Sequence, residues 1–278
     1  MTYTVKFNVL KTHLFFLILM AFLYSCQKPE ESAHVQKSFE KTSEVEISRR
    51  YRAPLFFFTS YRCRGCGSFG KPVTERVIES MGDSLVPMVC HFKYGDPFEN
   101  QTNLDIIESQ GGDRSSPQIY WEGKNEIFKL FGLGQNGSVE YLRNEIREDF
   151  GKVAKVYVGL KAEQKENGRW SVQYAAENAT NEKANYRVEI YSNEDGLISI
   201  QKGAQEEENQ IHDNVIRSGH FGDMGKPIEL EAKSTFSEEV EVIPCSDCVP
   251  EDLYFTLVVW EDLGDGRMQY VNGLVFRP

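Results

Sequence analysis

Two cysteine pairs carry the chemistry this sequence can do. Cys63-Arg64-Gly65-Cys66 and Cys245-Ser246-Asp247-Cys248 each set their thiols two residues apart. At that spacing one thiolate can attack a disulfide, and the second thiol can then attack the mixed disulfide that forms. Arg62 and Arg64 flank Cys63 with positive charge, which favours the thiolate, the reactive form. Cys63 is then the nucleophile and Cys66 the resolving thiol. The same spacing serves a structural disulfide or half of a zinc site, and both readings stay open here.

The elements around the first pair bear on that choice. Leu55-Phe56-Phe57-Phe58 is an unbroken apolar run, which suits a strand buried on both faces. A polar connector follows, then the cysteines, then Val73, Val77 and Met81 at helical spacing. A thiol at a helix N-terminus is stabilised as thiolate by the macrodipole and by free N–H groups. Two helix starts fit. The helix either begins at Cys63 and kinks near Pro72, or begins at Pro72, which would weaken the dipole effect on Cys63.

Further on, Leu85–Tyr94 reads as a strand with Cys90 and His91 on opposite faces, and Asn103–Ser109 as a short helix. Ser116-Pro117 leads into a strand at Ile119–Trp121, Ile127–Phe131 reads as another strand, and Val139, Leu142, Ile146 and Phe150 as a last helical stripe. That order describes an α/β thioredoxin-like domain over 51–151. In such folds the proline that opens this strand is cis and lies beside the cysteine pair. Pro117 is therefore expected cis, positioning a substrate strand.

From 152 to 278 the pattern changes to alternating strands separated by turns, such as Tyr186-Arg187-Val188-Glu189-Ile190. An all-β sandwich domain is expected. Cys245 and Cys248 fall in a loop between Pro244 and Pro250, with neither buried strand nor helix beside them. A local structural disulfide is the leading reading there, with redox and metal-binding roles as alternatives. If the two pairs met, they could form a four-thiolate zinc site. Cys90 reads as a small buried hydrophobe. His91 reads as a hydrogen-bonded histidine or a pH-sensitive neighbour of the pair, and His212 with Arg217 as a tie within a sandwich loop.

The N-terminus concerns location. Lys6 and Lys11 precede an apolar run from Leu14 to Tyr24, too short to span a membrane and fitting a signal peptide over 1–25. Leu23-Tyr24-Ser25-Cys26 resembles a bacterial lipobox, with Tyr24 bulkier than usual. Cleavage before Cys26 and lipidation of its thiol are expected, with residues 26–50 as a tether reaching roughly 25 Å from the membrane. The 278 residues carry a net charge of −11 and 12% aromatic residues. An acidic chain without a basic stripe excludes nucleic acid as a partner, and no metal or cofactor is expected. The expected partners are the membrane, through the Cys26 lipid, and a protein or thiol client.

The chain also resembles the thioredoxin-like outer-membrane lipoproteins of Bacteroidetes, a family named after a small Porphyromonas surface protein. Phe58-Thr59 leading to Cys63-Arg64-Gly65-Cys66 carries the resemblance, with His91 through Asp96-Pro97-Phe98, Ser116-Pro117, and Ile211-His212-Asp213-Asn214-Val215-Ile216-Arg217. It implies a thioredoxin-like domain followed by a β-sandwich at the outer membrane. Relatives often carry Pro after the second cysteine, where this chain has Gly67. Thioredoxins carry Trp before the pair, where Arg62 stands here, and a buried Asp in the preceding strand, where Leu55–Phe58 holds no acid. The expected function is an envelope interaction protein with residual thiol redox capability; the alternative is an envelope thiol–disulfide oxidoreductase.

Overall fold

A computed structural model describes residues 45–278 apart from Tyr94 and Asp223. The expected signal peptide over 1–25, the expected lipidation site Cys26 and most of the expected tether over 26–50 lie outside the described residues.

The first strand, β1 (Ala53–Thr59), is buried along its whole length, as its apolar run requires. It pairs in parallel with β2 (Leu85–His91), in a register that sets Phe57 against Val89 and Thr59 against His91. On its other side it pairs antiparallel with β3 (Gln118–Trp121), which in turn meets the two-residue β4 (Lys124–Asn125). Three helices accompany these strands: α1 (Lys71–Met81), α2 (Gln101–Ser109) and α3 (Ile127–Glu148). Val73, Val77 and Met81 are buried on α1 as their spacing predicts.

Ile127–Phe131, expected as a strand, is instead the start of α3. Leu130 is fully buried and Ile127 packs against the same core, while Phe128 is 87% exposed. Apolar residues three apart on one side follow the helical period, not strand alternation. Gly134, with φ 66°, interrupts the helix. Val139, Leu142 and Ile146 face inward, but Phe150 at the end of the stripe is exposed.

The second half is built from strands. A three-stranded sheet joins β5 (Val156–Gln164), β6 (Trp170–Asn178) and β12 (Thr235–Val242). It packs over β7 (Ala184–Glu194), β13 (Leu253–Asp262) and β14 (Met268–Phe276), sharing a core that includes Val158, Tyr174, Val188, Phe255 and Leu257. Two short strands, β8 (Leu197–Ser199) and β9 (Gln210–His212), form a hairpin of their own. β11 (Lys226–Leu230) pairs with β7.

The remaining strand, β10 (Val215–Gly219), joins the halves. It pairs with β7 and, in parallel, with β2, where Val215 meets Val89. One nine-stranded sheet thus runs from β14 and β13 through β7 and β10 to β2, β1, β3 and β4. The molecule is mixed α/β with one large sheet and few helices. Residues 51–151 and 152–278 share that sheet, so β9, β10 and their flanking loops stand next to the cysteine pair at the end of β1.

Candidate functional site

Cys63 follows a three-residue turn, Ser60 to Arg62, after the end of β1, and the chain then enters a helix. Arg64 and Gly65 are already helical, Cys66–Gly70 form a wide π turn, and α1 continues from Lys71. The helix therefore starts at Cys63, and Pro72 is absorbed by widening the turn before it. Pro72 has no N–H to offer the Ser68 carbonyl four residues earlier; the Gln135 side chain donates to that carbonyl instead, at 2.8 Å.

Cys63 and Cys66 form a disulfide, with Cα atoms 5.1 Å apart. Cys66 is fully buried, while Cys63 is 9% exposed. The backbone N–H of Cys66 donates to Cys63 Sγ at 3.0 Å. That N–H, shared with the Cys63 carbonyl at 3.1 Å, lies at a helix start, where N–H groups favour a thiolate once the bond is reduced. Arg62 and Arg64 are exposed beside it. The Ser116–Pro117 peptide is cis, and the Pro117 ring rests on Gly65 so closely that a Cβ there would lie 3.1 Å from Pro117 Cδ. Phe69 and Phe131, with ring centroids 4.5 Å apart, stand on the same side.

A segment from the second half covers the backbone of the pair. Gln201, fully buried, donates from Nε2 to the carbonyls of Ser60 and Cys63 at 3.2 and 3.1 Å. The Lys202 N–H donates to Tyr61 O at 2.8 Å. Gly203, at φ +83°, is pressed on Arg64, so that a Cβ would lie 2.2 Å from the Arg64 carbonyl oxygen. Only glycine fits both that backbone and that approach.

Behind the pair lies a buried polar group. His91 Nδ1 bonds Asp96 Oδ2 at 3.0 Å, and the same carboxylate accepts from the backbone N–H groups of Tyr61 at 2.7 Å and Phe98 at 2.9 Å. Burial opposes the Asp96 charge, but His91 and those N–H groups more than offset it and hold the carboxyl below its usual range. The His212 ring stands edge-on to His91 at 5.0 Å. Burial, with His91 and Lys71 nearby, pushes His212 down to about 3, so it is neutral. Its Nε2 meets Ser199 Oγ at 3.1 Å. His212 thus belongs to the surroundings of the first pair as well as to a sandwich loop. Cys90 is a free, buried thiol on the opposite face of β2 from His91, and burial pushes its pKa up.

Arg217 does tie a loop. It forms a buried ion pair with Glu194 and reaches Asp247, between the cysteines of the second pair, at 2.8 Å. It also lies over the Phe98 ring, 5.7 Å from the centroid. Cys245 and Cys248 are joined as a disulfide in the loop between β12 and β13, half-buried, with Cα atoms 5.2 Å apart. Glu194, Cys245 and Cys248 bring donor atoms within 4.8 Å of one another, the one group among the described residues that could hold a metal ion. Arg217 puts a positive charge on that carboxylate, which works against a cation. The two cysteine pairs do not form a common donor group among the described residues.

Gln201, Gly203 and the meeting of His91 with His212 were not legible as site residues in the sequence. The nearest signal was that the His91-to-Phe98 and His212-to-Arg217 stretches both stand out as motifs; only the β10–β2 pairing brings them together.

No protein-family model matches the chain, and no curated protein matches it. Among solved structures, it is similar to HBP35 of Porphyromonas gingivalis, with a TM-score of 0.65 and 15% identity over 83% of this chain and 76% of that one. A domain of the outer membrane lipoprotein Omp28 from Porphyromonas gingivalis aligns with a TM-score of 0.30 and 17% identity, over 45% of this chain and 89% of that domain. The first of these likenesses is one of fold alone, and the residues that would do chemistry are this chain's own.

Proposed function

We propose that this protein is an envelope lipoprotein in which Cys63 and Cys66, within a thioredoxin-like unit over 51–151, exchange thiols and disulfides with a protein client. One observation carries this reading: a disulfide at the start of a helix, with the ring of cis Pro117 against Gly65 between its two cysteines. In the reduced state the Cys63 thiolate attacks one sulfur of a client disulfide, and the client sulfur it displaces leaves as a thiolate and takes a proton. Cys66 loses its proton and attacks Cys63 Sγ. The second client thiol departs, leaving the Cys63–Cys66 disulfide. The reverse sequence oxidises a client dithiol.

A Cys66→Ser variant leaves the mixed disulfide unresolved and is expected to accumulate client adducts on Cys63. No adducts from envelope extracts, with a reduction potential below about −300 mV, would mark a structural bond. The Cys26 lipobox and apolar leader support anchoring through lipid at the outer membrane, with the tether lifting the body from the surface. A Cys26→Ser chain is expected to leave the membrane fraction; retention there overturns the anchor.

A second reading has its own observation. The Gln201–Gly203 segment packs on the backbone of Cys63 to Gly67, and a covered pair suits an envelope interaction protein whose first disulfide is structural. Under that reading a Cys63→Ser/Cys66→Ser variant lowers stability without reproducing a deletion phenotype; a phenotype that tracks the cysteines removes it.

A further inference from the structure

The helix start at the first pair is covered on one side and open on another. On the covered side Gly203 presses on the Arg64 carbonyl, and a Cβ at Gly67 would lie 2.3 Å from the Lys202 carbonyl oxygen. On the open side Gly65 and Pro117 are half-buried, and a Cβ at Gly65 would lie 3.9 Å from the Phe131 ring. Phe131 is 43% exposed at the start of α3, and Phe128, one turn earlier on the same face, is 87% exposed. Leu130 between them is fully buried in the core, so the turn is anchored while both rings stay outside. Uncovered apolar surface of this kind, next to a disulfide, marks a place where another chain docks.

Charge narrows the kind of chain. Arg62 and Arg64 are exposed on either side of Cys63, and neither forms an ion pair among the described residues. Arg62 lies over the Tyr61 ring, 5.1 Å from its centroid. The acid that the covering segment brings near Arg64 is Glu207, which is already bonded to the Lys202 ammonium and the Gly203 N–H. Two cations without counter-ions thus flank Cys63 in a chain of net charge −11. Cys66 is fully buried and Cys63 only 9% exposed. A client sulfur reaches Cys63 on a protruding, extended segment and not from a flat folded surface.

We propose that Phe128 and Phe131, together with Arg62 and Arg64, select the client of the Cys63–Cys66 pair, and that this client is an extended acidic protein segment with an aromatic side chain beside its cysteine. The inference rests on the thiol-exchange reading above. The client's ring packs on Phe131 and Phe128, offset or edge-on, and its carboxylates meet the two guanidinium groups. These contacts take no part in the bonds that form and break; they hold the client sulfur over Cys63 Sγ.

The test uses the full chain with Cys26→Ser and Cys66→Ser. Cys63 is then the accessible thiol, since Cys90 is buried and Cys245–Cys248 stays bonded. The probes are four short peptides, each with one cysteine joined to thionitrobenzoate. Phe or Ala stands on both sides of that cysteine, and two Asp or two Lys stand at each end. The Cys63 thiolate attacks the peptide sulfur, the bond to the reagent breaks, and thionitrobenzoate leaves as a coloured thiolate whose release gives the rate. The Phe/Asp peptide is expected to react at least about tenfold faster than the Ala/Lys peptide. The preference for Asp should shrink at about 1 M salt. Phe128→Ala/Phe131→Ala is expected to level the Phe and Ala peptides, and Arg62→Gln/Arg64→Gln to level the Asp and Lys peptides. Loss of the arginines also lowers the thiolate fraction of Cys63, which slows all four peptides alike, so the ratio of rates is the readout. Equal rates for all four peptides, or a ratio unchanged by its double substitution, overturn the selection alone. A Cys63 that reacts with none of the peptides overturns the thiol-exchange reading and the selection with it.

Discussion

The two C-x-x-C pairs differ in almost nothing local. Both are disulfides across three positions, with Cα separations of 5.1 and 5.2 Å. Each closes its ring with the N–H of the second cysteine directed at the carbonyl of the first, at 3.1 and 3.2 Å. Because the rings are the same size, each restricts the unfolded chain equally, by about 2 kcal/mol in the chain-entropy account. The surroundings differ. Cys63 follows the turn after a buried strand and starts a helix whose Gly65 meets Pro117; Cys245 follows one strand and Cys248 precedes a short turn between prolines, beside the Glu194–Arg217 ion pair. Spacing alone does not make a thiol site. What sets the first pair apart is its place at a helix start and the cis proline packed against Gly65.

The sharpest way to break this comparison is substitution of each pair in turn. Cys63→Ser/Cys66→Ser is expected to abolish thiol exchange completely in an insulin-type disulfide assay, while Cys245→Ser/Cys248→Ser retains it. Exchange that follows the second pair reverses the assignment.

Acid separates the two surroundings next. His212 is held neutral, with its pKa pushed down to about 3 from 6.5. Between those values the unfolded chain binds a proton that the folded chain does not. Stability from this group is therefore full above about pH 6.5 and falls as the pH drops towards 3, by at most about 5 kcal/mol. Denaturant titrations at falling pH check it, and a His212→Gln chain should show a flatter dependence. Because His212 packs edge-on against His91, acid is expected to loosen the first pair before the second.

The second pair is tested through its ion pair. Arg217→Met leaves the Glu194 carboxylate buried with the Val249 N–H at 2.8 Å but without its counter-charge. A loss of roughly 3 kcal/mol is expected, with faster hydrogen exchange in the Cys245–Cys248 loop. A stability unchanged within error would show that the loop is held by packing alone.

The smallest effect concerns the covering segment. Gln201→Ala removes the donors to Ser60 and Cys63 and is expected to cost about 1–2 kcal/mol. Alkylation of Cys63 in the reduced protein should become faster, while reaction at Cys245 and Cys248 stays unchanged. Equal reactivity in both chains would mean that the segment does not limit access.

Much of this could be read from residue order. The apolar run at Leu55–Phe58, the stripe of Val73, Val77 and Met81, the cis bond at Pro117 and the opposite facing of Cys90 and His91 all follow from local periodicity or from the order of elements. Ile127–Phe131 is a helix start where a strand is expected, because five residues are too few to separate a half-buried helix from a strand. β9, β10 and β11 are not legible in the sequence, because short strands such as Gln210–His212 carry too little alternation to stand out.

By itself, the sequence determined where thiol chemistry could occur. It set the spacing of both pairs, the buried strand before the first and the prolines around the second, since these depend on neighbours along the chain. Tertiary structure alone decided what each pair meets. Val215 pairing with Val89 draws Gln201, Gly203 and His212 to the end of β1, and it closes a polar cavity behind Phe57. Contacts between residues more than a hundred positions apart arise from sheet register and from the burial of shared apolar faces, and no local pattern of residues encodes them.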